Sequence, residues 1–169
     1  MGVTLKIILN GGVHNMTNKE LCEKYPFLIP RNVWTDDILE NYDYSWTLLD
    51  NFEDGWRIAF GEKFCEELKE ALSKANYVDN FRFSQIKEKY GHLCLYNFGC
   101  NEEAWNIIRK YEKLSKYTCG KCGQPATKIG MSWIYPYCSS CADKINKYER
   151  FIDIDEYYKE VKMDDEGSL

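Results

Sequence analysis

Histidine is nearly absent from this chain: His14 and His92 are the two among 169 residues. Each lies in a turn-like segment, so the commonest general base and metal ligand is scarce. No His-Glu-x-x-His helix, Walker loop, dinucleotide fingerprint or nucleophile elbow is present. Asp153 and Asp155 share a strand face, but paired acids on a polar tail read as solvated side chains. No residue can be given a catalytic role, and the chain reads as a non-enzyme. Long apolar runs are missing as well. The run over residues 5–9 is too short for a signal-peptide core or a membrane span. Basic residues are missing from residues 36–54, a stretch that carries seven acids.

Cysteine, by contrast, is abundant, with eight residues. With no targeting segment in view, eight thiols point to a reducing cytoplasm. Four of them are patterned. Cys119 and Cys122 form one Cys-x-x-Cys pair, and Cys138 and Cys141 form another 15 residues beyond Cys122. Two such pairs at this separation are the mark of a structural metal site. Each pair makes a tight knuckle, with Gly120 and Gly123 letting the first one turn. Residues 126–131 and 132–137 form a short hairpin between the knuckles, which makes a zinc ribbon. Four thiolates fill the tetrahedron of one structural zinc ion and leave no position for water. A disulfide framework would need an oxidising compartment, and a thioredoxin-like site uses one pair, not two. Cys22, Cys65, Cys94 and Cys100 lack ligand spacing and read as core thiols. His92, Cys94 and Cys100 make a much weaker second metal set.

The formal net charge is −5. Four metal-bound thiolates add −4 and the zinc ion +2, which brings the holo chain to about −7. That balance disfavours direct nucleic-acid binding, which rests on phosphate neutralisation, and favours a basic protein surface as partner. The acidic stretch, residues 36–54, interleaves aromatics with its acids at no clear period. It reads in two ways. One is a long loop that pins its rings into the core and leaves its acids in water. The other is a partner-binding surface formed by Asp36, Asp37, Glu40, Tyr42, Asp43, Tyr44, Asp50, Glu53 and Asp54. Charge reverses over residues 109–128, with six basic residues and one acid, Glu112. Lys116, Lys121 and Lys128 there offset the doubly negative metal tetrathiolate. The competing reading is a nucleic-acid patch.

The predicted fold class is α+β: two amphipathic helices with a β-hairpin and a C-terminal four-cysteine zinc ribbon. Residues 4–9 read as a short strand followed by the turn Asn10-Gly11-Gly12, within an N-terminal extension over residues 1–16. Thr17 to Glu20 has the form of a capping box and opens a short helix that ends before Pro26. Asp54-Gly55 starts the longest helix, running to about Lys74, with Trp56, Phe60, Phe64, Leu68 and Leu72 on its apolar face. Residues 81–98 read as a hairpin with Tyr90-Gly91-His92 at the turn. Asn101 caps a second long helix whose buried face is Ala104, Ile107, Ile108, Tyr111 and Leu114. The α+β core thus covers residues 17–117 and the ribbon residues 118–148, braced against the core, with a short helix at 143–148. Residues 149–169 read as an acidic tail.

The ordered blocks Lys24-Tyr25-Pro26-Phe27-Leu28-Ile29-Pro30-Arg31-Asn32, Asp54-Gly55-Trp56-Arg57-Ile58-Ala59-Phe60-Gly61 and Gln85-Ile86-Lys87-Glu88-Lys89-Tyr90-Gly91 carry a family resemblance. They are joined by Lys110-Tyr111-Glu112-Lys113-Leu114-Ser115 and by residues 130–141, which contain Trp133-Ile134-Tyr135-Pro136-Tyr137. Over residues 20–142 the chain resembles small zinc-ribbon proteins encoded by phages and prophages of low-GC Gram-positive bacteria. Among such proteins are zinc-binding type II anti-CRISPR proteins. The resemblance implies a stoichiometric inhibitor that binds a type II RNA-guided CRISPR nuclease, blocking target DNA loading or a domain movement. The acids are concentrated in two stretches and do not run at phosphate-like spacing, which favours a local acidic patch over full DNA mimicry. A nucleic-acid-associated phage accessory protein is the alternative.

Overall fold

Five large side chains at every fourth position organise the core. Trp56, Phe60, Phe64, Leu68 and Leu72 are all buried. They lie on a continuous helical stretch made of α2 (Asp54–Trp56), a π-turn (Arg57–Gly61) and α3 (Glu62–Lys74). A stripe of period four drifts by about 40° per step on a helix of 3.6 residues per turn. The wider π-turn absorbs part of that drift and keeps Trp56 and Phe60 on the face that Phe64 and Leu68 continue. The computed structural model describes residues 7–9, 12–14, 16–145 and 147–166.

Ahead of this stretch, β1 (Ile7–Leu9) pairs antiparallel with β2 (Gly12–His14). The expected strand over residues 4–9 is thus found at its C-terminal end, and residues 4–6 and the turn residues Asn10 and Gly11 lie outside the described residues. His14 closes β2. Helix α1 (Asn18–Lys24) opens on the expected capping box: Glu20 N–H donates to Thr17 Oγ1 at 3.2 Å, and Thr17 N–H to Glu20 Oε2 at 2.7 Å. Short 3₁₀ turns at Pro26–Leu28 and Leu48–Asn51 bring Phe27, Leu28 and Leu49 into the core.

Strands β3 (Arg82–Lys89) and β4 (His92–Phe98) form the expected hairpin. Tyr90 and Gly91 make its two-residue turn, both with positive φ (49° and 78°), the geometry that matches strand twist. His92 therefore opens β4 and is not in the turn. Helix α4 (Glu102–Ser115) is capped by Asn101, whose Oδ1 accepts from Ala104 N–H at 3.0 Å. The helix covers the free edge of β4: Leu93 N–H donates to Ser115 Oγ and Leu95 N–H to Glu112 Oε1, each at 2.8 Å. Its buried face differs from expectation at one end. Leu114 is 42% exposed and Ser115 is buried, because the last turn faces the polar edge of β4.

The ribbon is a second, smaller unit. Strand β5 (Lys128–Gly130) pairs with β6 (Tyr135–Tyr137) as expected, and also with β7 (Phe151–Asp153). Helix α5 (Ser139–Ala142) replaces the short helix expected at 143–148. Residues 149–169 were expected as an acidic tail. Instead β7 and α6 (Ile154–Glu166) continue the ribbon, and residues 167–169 lie outside the described residues. Buried Ile129 and Ile154 hold this unit together with Ala126. Asp153 starts α6 by accepting from Asp155 and Glu156 N–H, so the Asp153–Asp155 pair is a cap.

Candidate metal centre

The first knuckle follows directly from α4, and its turn is set by hydrogen bonds at both ends. Cys119 N–H donates to Gln124 O at 2.8 Å, and Gly123 N–H donates to Cys119 O at 2.9 Å. Gly123 has φ +78°, which permits that closure. The second knuckle starts where β6 ends. Cys138 O accepts from Cys141 N–H at 3.2 Å and from Ala142 N–H at 3.0 Å, so Cys141 sits on the first turn of α5.

The four sulfurs of Cys119, Cys122, Cys138 and Cys141 all lie within 4.8 Å of one another, with Cys122 Sγ and Cys138 Sγ 3.6 Å apart. A tetrahedral thiolate centre with metal–sulfur bonds of about 2.3 Å has sulfur–sulfur edges of about 3.8 Å. The group has the size to hold one metal ion, and it is the one such cluster among the described residues. All eight cysteines are free thiols. The donor set also has the right electrostatics. Burial pushes the Cys119 thiol up, yet the backbone amides of Cys138, Cys122 and Lys121 outweigh it and hold that thiol below its usual range. Cys141 is pushed up to about 12, first by its hydrogen bond to Cys122 and then by burial and the other two thiols. Four sulfurs this close cannot all ionise beside one another without a cation between them, and a divalent ion supplies that charge. A tetrahedral ion here would have all four positions taken by protein, which leaves none for water or a substrate.

The expected bracing is a close backbone contact with the start of the longest helix. Gly55 N–H donates to Gly120 O at 2.7 Å, and Trp56 Nε1–H donates to Thr118 O at 2.9 Å. Tyr135 hydroxyl donates to Glu53 Oε2 at 2.6 Å. A Cβ at Gly55 would lie 2.1 Å from Cys119 O and 2.6 Å from Gly123 N. The knuckle backbone therefore rests on a helix position where no side chain fits. Sequence reading placed Gly55 at the helix start and missed this role; a glycine beside the buried Trp56 was the available signal. Of the expected compensating lysines, Lys121 lies over the Tyr135 ring and Lys116 over the Tyr158 ring, while Lys128 opens β5. His92 Nε2 lies 3.4 Å from Cys94 Sγ, but Cys100 does not join them in a metal-sized cluster. Cys22 and Cys65 are buried core thiols.

The acidic stretch divides. Asp36 pairs with Arg82 at 3.2 Å and lies 4.0 Å from Arg31. Asp50 pairs with Arg57 and accepts Thr47 N–H. Glu53 is engaged by Tyr135. Tyr42 donates to Trp46 O and its ring lies 4.8 Å from that of Tyr44, so these tyrosines pack within the loop. Asp43 caps Ser45, and bonds from Ser45 hold its carboxyl below the usual range. Asp37, Glu40, Asp43 and Asp54 are solvent-facing. The largest feature was absent from the expected set. Trp34 is 94% exposed, flanked by exposed Val33, Ile38 and Leu39. It rides on a tight loop in which Asn32 Oδ1 accepts from Trp34 N–H at 2.9 Å, Asp36 N–H donates to Asn32 O at 2.9 Å, and Arg31 bridges Ile38. Asp36, Asn41 and Tyr44 all take positive φ here, so the segment is folded by its own bonds against local preference.

Compared with protein-family models, curated proteins and solved structures, the chain matches none. No helix among the described residues is long and apolar enough to cross a membrane.

Proposed function

We propose that this protein is a stoichiometric, non-enzymatic inhibitor that binds a basic protein surface, with a zinc ion stabilising its ribbon. The observation that carries the binding reading is Trp34, fully offered to solvent on a hydrogen-bonded loop that leads into the acidic stretch of residues 36–54. An ordered, exposed tryptophan loses little side-chain freedom on docking and is a frequent anchor of protein interfaces. Exposed Asp37, Glu40 and Asp43, which follow it in the chain, supply a negative field that attracts a basic partner. The sequence resemblance implies the partner: a type II RNA-guided nuclease, whose nucleic-acid channels are positively charged. The inhibitor acts in the cytoplasm of the bacterial host. Zinc is the metal that a closed, tetrahedral set of four thiolates suits best.

The test mixes purified protein with a guide-loaded type II nuclease. Target cleavage is followed against inhibitor ratio, with DNA binding measured in the same samples. Cleavage is lost near equimolar ratio, and the protein alone shifts no duplex DNA. Full cleavage across several such nucleases sinks the inhibitor reading, and a shift of plain duplex DNA or RNA supports the nucleic-acid accessory instead. Elemental analysis gives one zinc per chain.

A further inference from the structure

A second site lies on the opposite charge. In a chain of net charge −5, Arg109 and Lys113 occupy successive turns on one face of α4, and Lys116, its C-terminal cap residue, continues that spacing. They line a cleft of about 440 Å³ closed on its other sides by His92 at the start of β4, by Tyr117, and by Tyr158 and Val161 of α6. None of the three cations forms an ion pair with a described residue, whereas Lys74, Arg82 and Lys110 do; the Arg109 guanidinium donates to Asn106 Oδ1 at 3.0 Å and lies 5.7 Å from the Trp105 ring centre, a neutral engagement that leaves its charge uncompensated. Glu112, the acid within the cleft, turns its Oε1 to Leu95 N–H at 2.8 Å. The Tyr117 and Tyr158 rings meet at 5.3 Å and form an aromatic wall, with Lys116 Nζ 5.6 Å from the Tyr158 ring centre.

We infer that this cleft binds a phosphate-bearing small molecule of nucleotide size, with Arg109, Lys113 and Lys116 holding the phosphate and Tyr117 and Tyr158 lining the ring. Three cations match a phosphate dianion in charge with one left to offset Glu112. The volume suits a mononucleotide. The same chemistry arises from a free nucleotide or from the 5′-phosphate end of a short strand. This site is independent of the Trp34 loop and of the nuclease reading.

Calorimetry at low salt on the full holo chain would use inorganic phosphate, AMP, and a short single strand with and without a 5′-phosphate. Saturable binding of phosphate and tighter binding of AMP are expected. Arg109→Glu and Lys113→Glu each weaken AMP by about tenfold or more, while Lys19→Glu, the same charge change on α1, leaves it unchanged. A strand that binds only with its 5′-phosphate, and tighter than AMP, assigns the site to nucleic-acid ends; AMP at least as tight as the strand assigns it to free nucleotide. No saturable binding of any probe at millimolar concentration overturns the site. So does binding that Arg109→Glu and Lys113→Glu leave intact.

Discussion

At the scale of single residues, Gly55 links the metal centre to the helical core. Its missing Cβ is the space that Cys119 O and Gly123 N occupy. Gly55→Ala forces two backbones apart, and neither is a flexible side chain that can swing away. The variant should lose about 3 kcal/mol or more of stability and bind its metal more weakly, read by chemical denaturation and by competition with a chelator. A variant with wild-type stability would show that the knuckle does not rest on this helix. Glu112 gives a pH-dependent case. Burial raises its carboxyl above the usual range, only partly countered by Leu95 N–H and Lys116. A folded pKa above the unfolded one means that the folded state holds its proton more tightly. The favourable contribution is therefore complete below the unfolded pKa and is lost as pH rises through the folded value. Glu112→Gln keeps an acceptor for Leu95 N–H and carries no charge. Relative to wild type it should gain stability between about pH 4 and about pH 7, and denaturation curves at the two ends measure the gain. An unchanged difference across that range would mean that Glu112 is not desolvated.

At the scale of elements, the ribbon has two candidate supports, the four-cysteine cluster and its last two elements. Cys119→Ser with Cys122→Ser leaves two thiolates, too few to hold the ion. The variant should lose its metal and melt at a lower temperature, with the ribbon amides exchanging first. Unchanged metal content and melting would remove the structural role of the site. Removing residues 149–169 tests the other support. It strips β7 from β5 and uncovers Ile129 by taking away Ile154. Loss of the Ile154 burial alone costs about 1.5–3 kcal/mol, so truncated protein should show early proteolysis within residues 118–148. The long helix, the hairpin, α4 and the knuckles were readable because each is set locally: by an apolar stripe, by Tyr90-Gly91, by the Asn101 cap and by cysteine spacing. Strand β7 was not. Phe151, Ile152 and Asp153 make too short a run to read as a strand, and their register is fixed by β5, distant in sequence. The tail's acids drew attention to solvent, while Ile154, Tyr157 and Tyr158 in the same segment pack on the ribbon. Leu114 and Ser115 exchanged places for a related reason. Helical period places both near the buried face, and the choice depends on the N–H groups of β4, which a sequence pattern does not display.

For the whole molecule, the charge and the aromatic exposure are distributed by region. Cations line the cleft beside α4, and exposed Trp34 precedes the cation-free stretch of residues 36–54. Three of the seven acids in that stretch work inside the protein: Asp36, Asp50 and Glu53 each hold another residue, as Tyr42 and Tyr44 do by packing. Changing these would confuse folding with binding. Trp34, Asp37 and Glu40 are free of that ambiguity because they are exposed and hold no ion partner among the described residues. Trp34→Ala should leave stability within about 0.5 kcal/mol of wild type. It should weaken binding to the partner nuclease by about 2 kcal/mol or more, roughly thirtyfold, as truncation of a central aromatic anchor does. Asp37→Lys with Glu40→Lys should act differently. Reversed rim charges slow association and abolish its salt dependence, while dissociation changes little. Surface binding kinetics at two ionic strengths separate the two effects. Full inhibition by Trp34→Ala, with wild-type dissociation, would move the binding surface away from this loop even if the nuclease proves to be the partner.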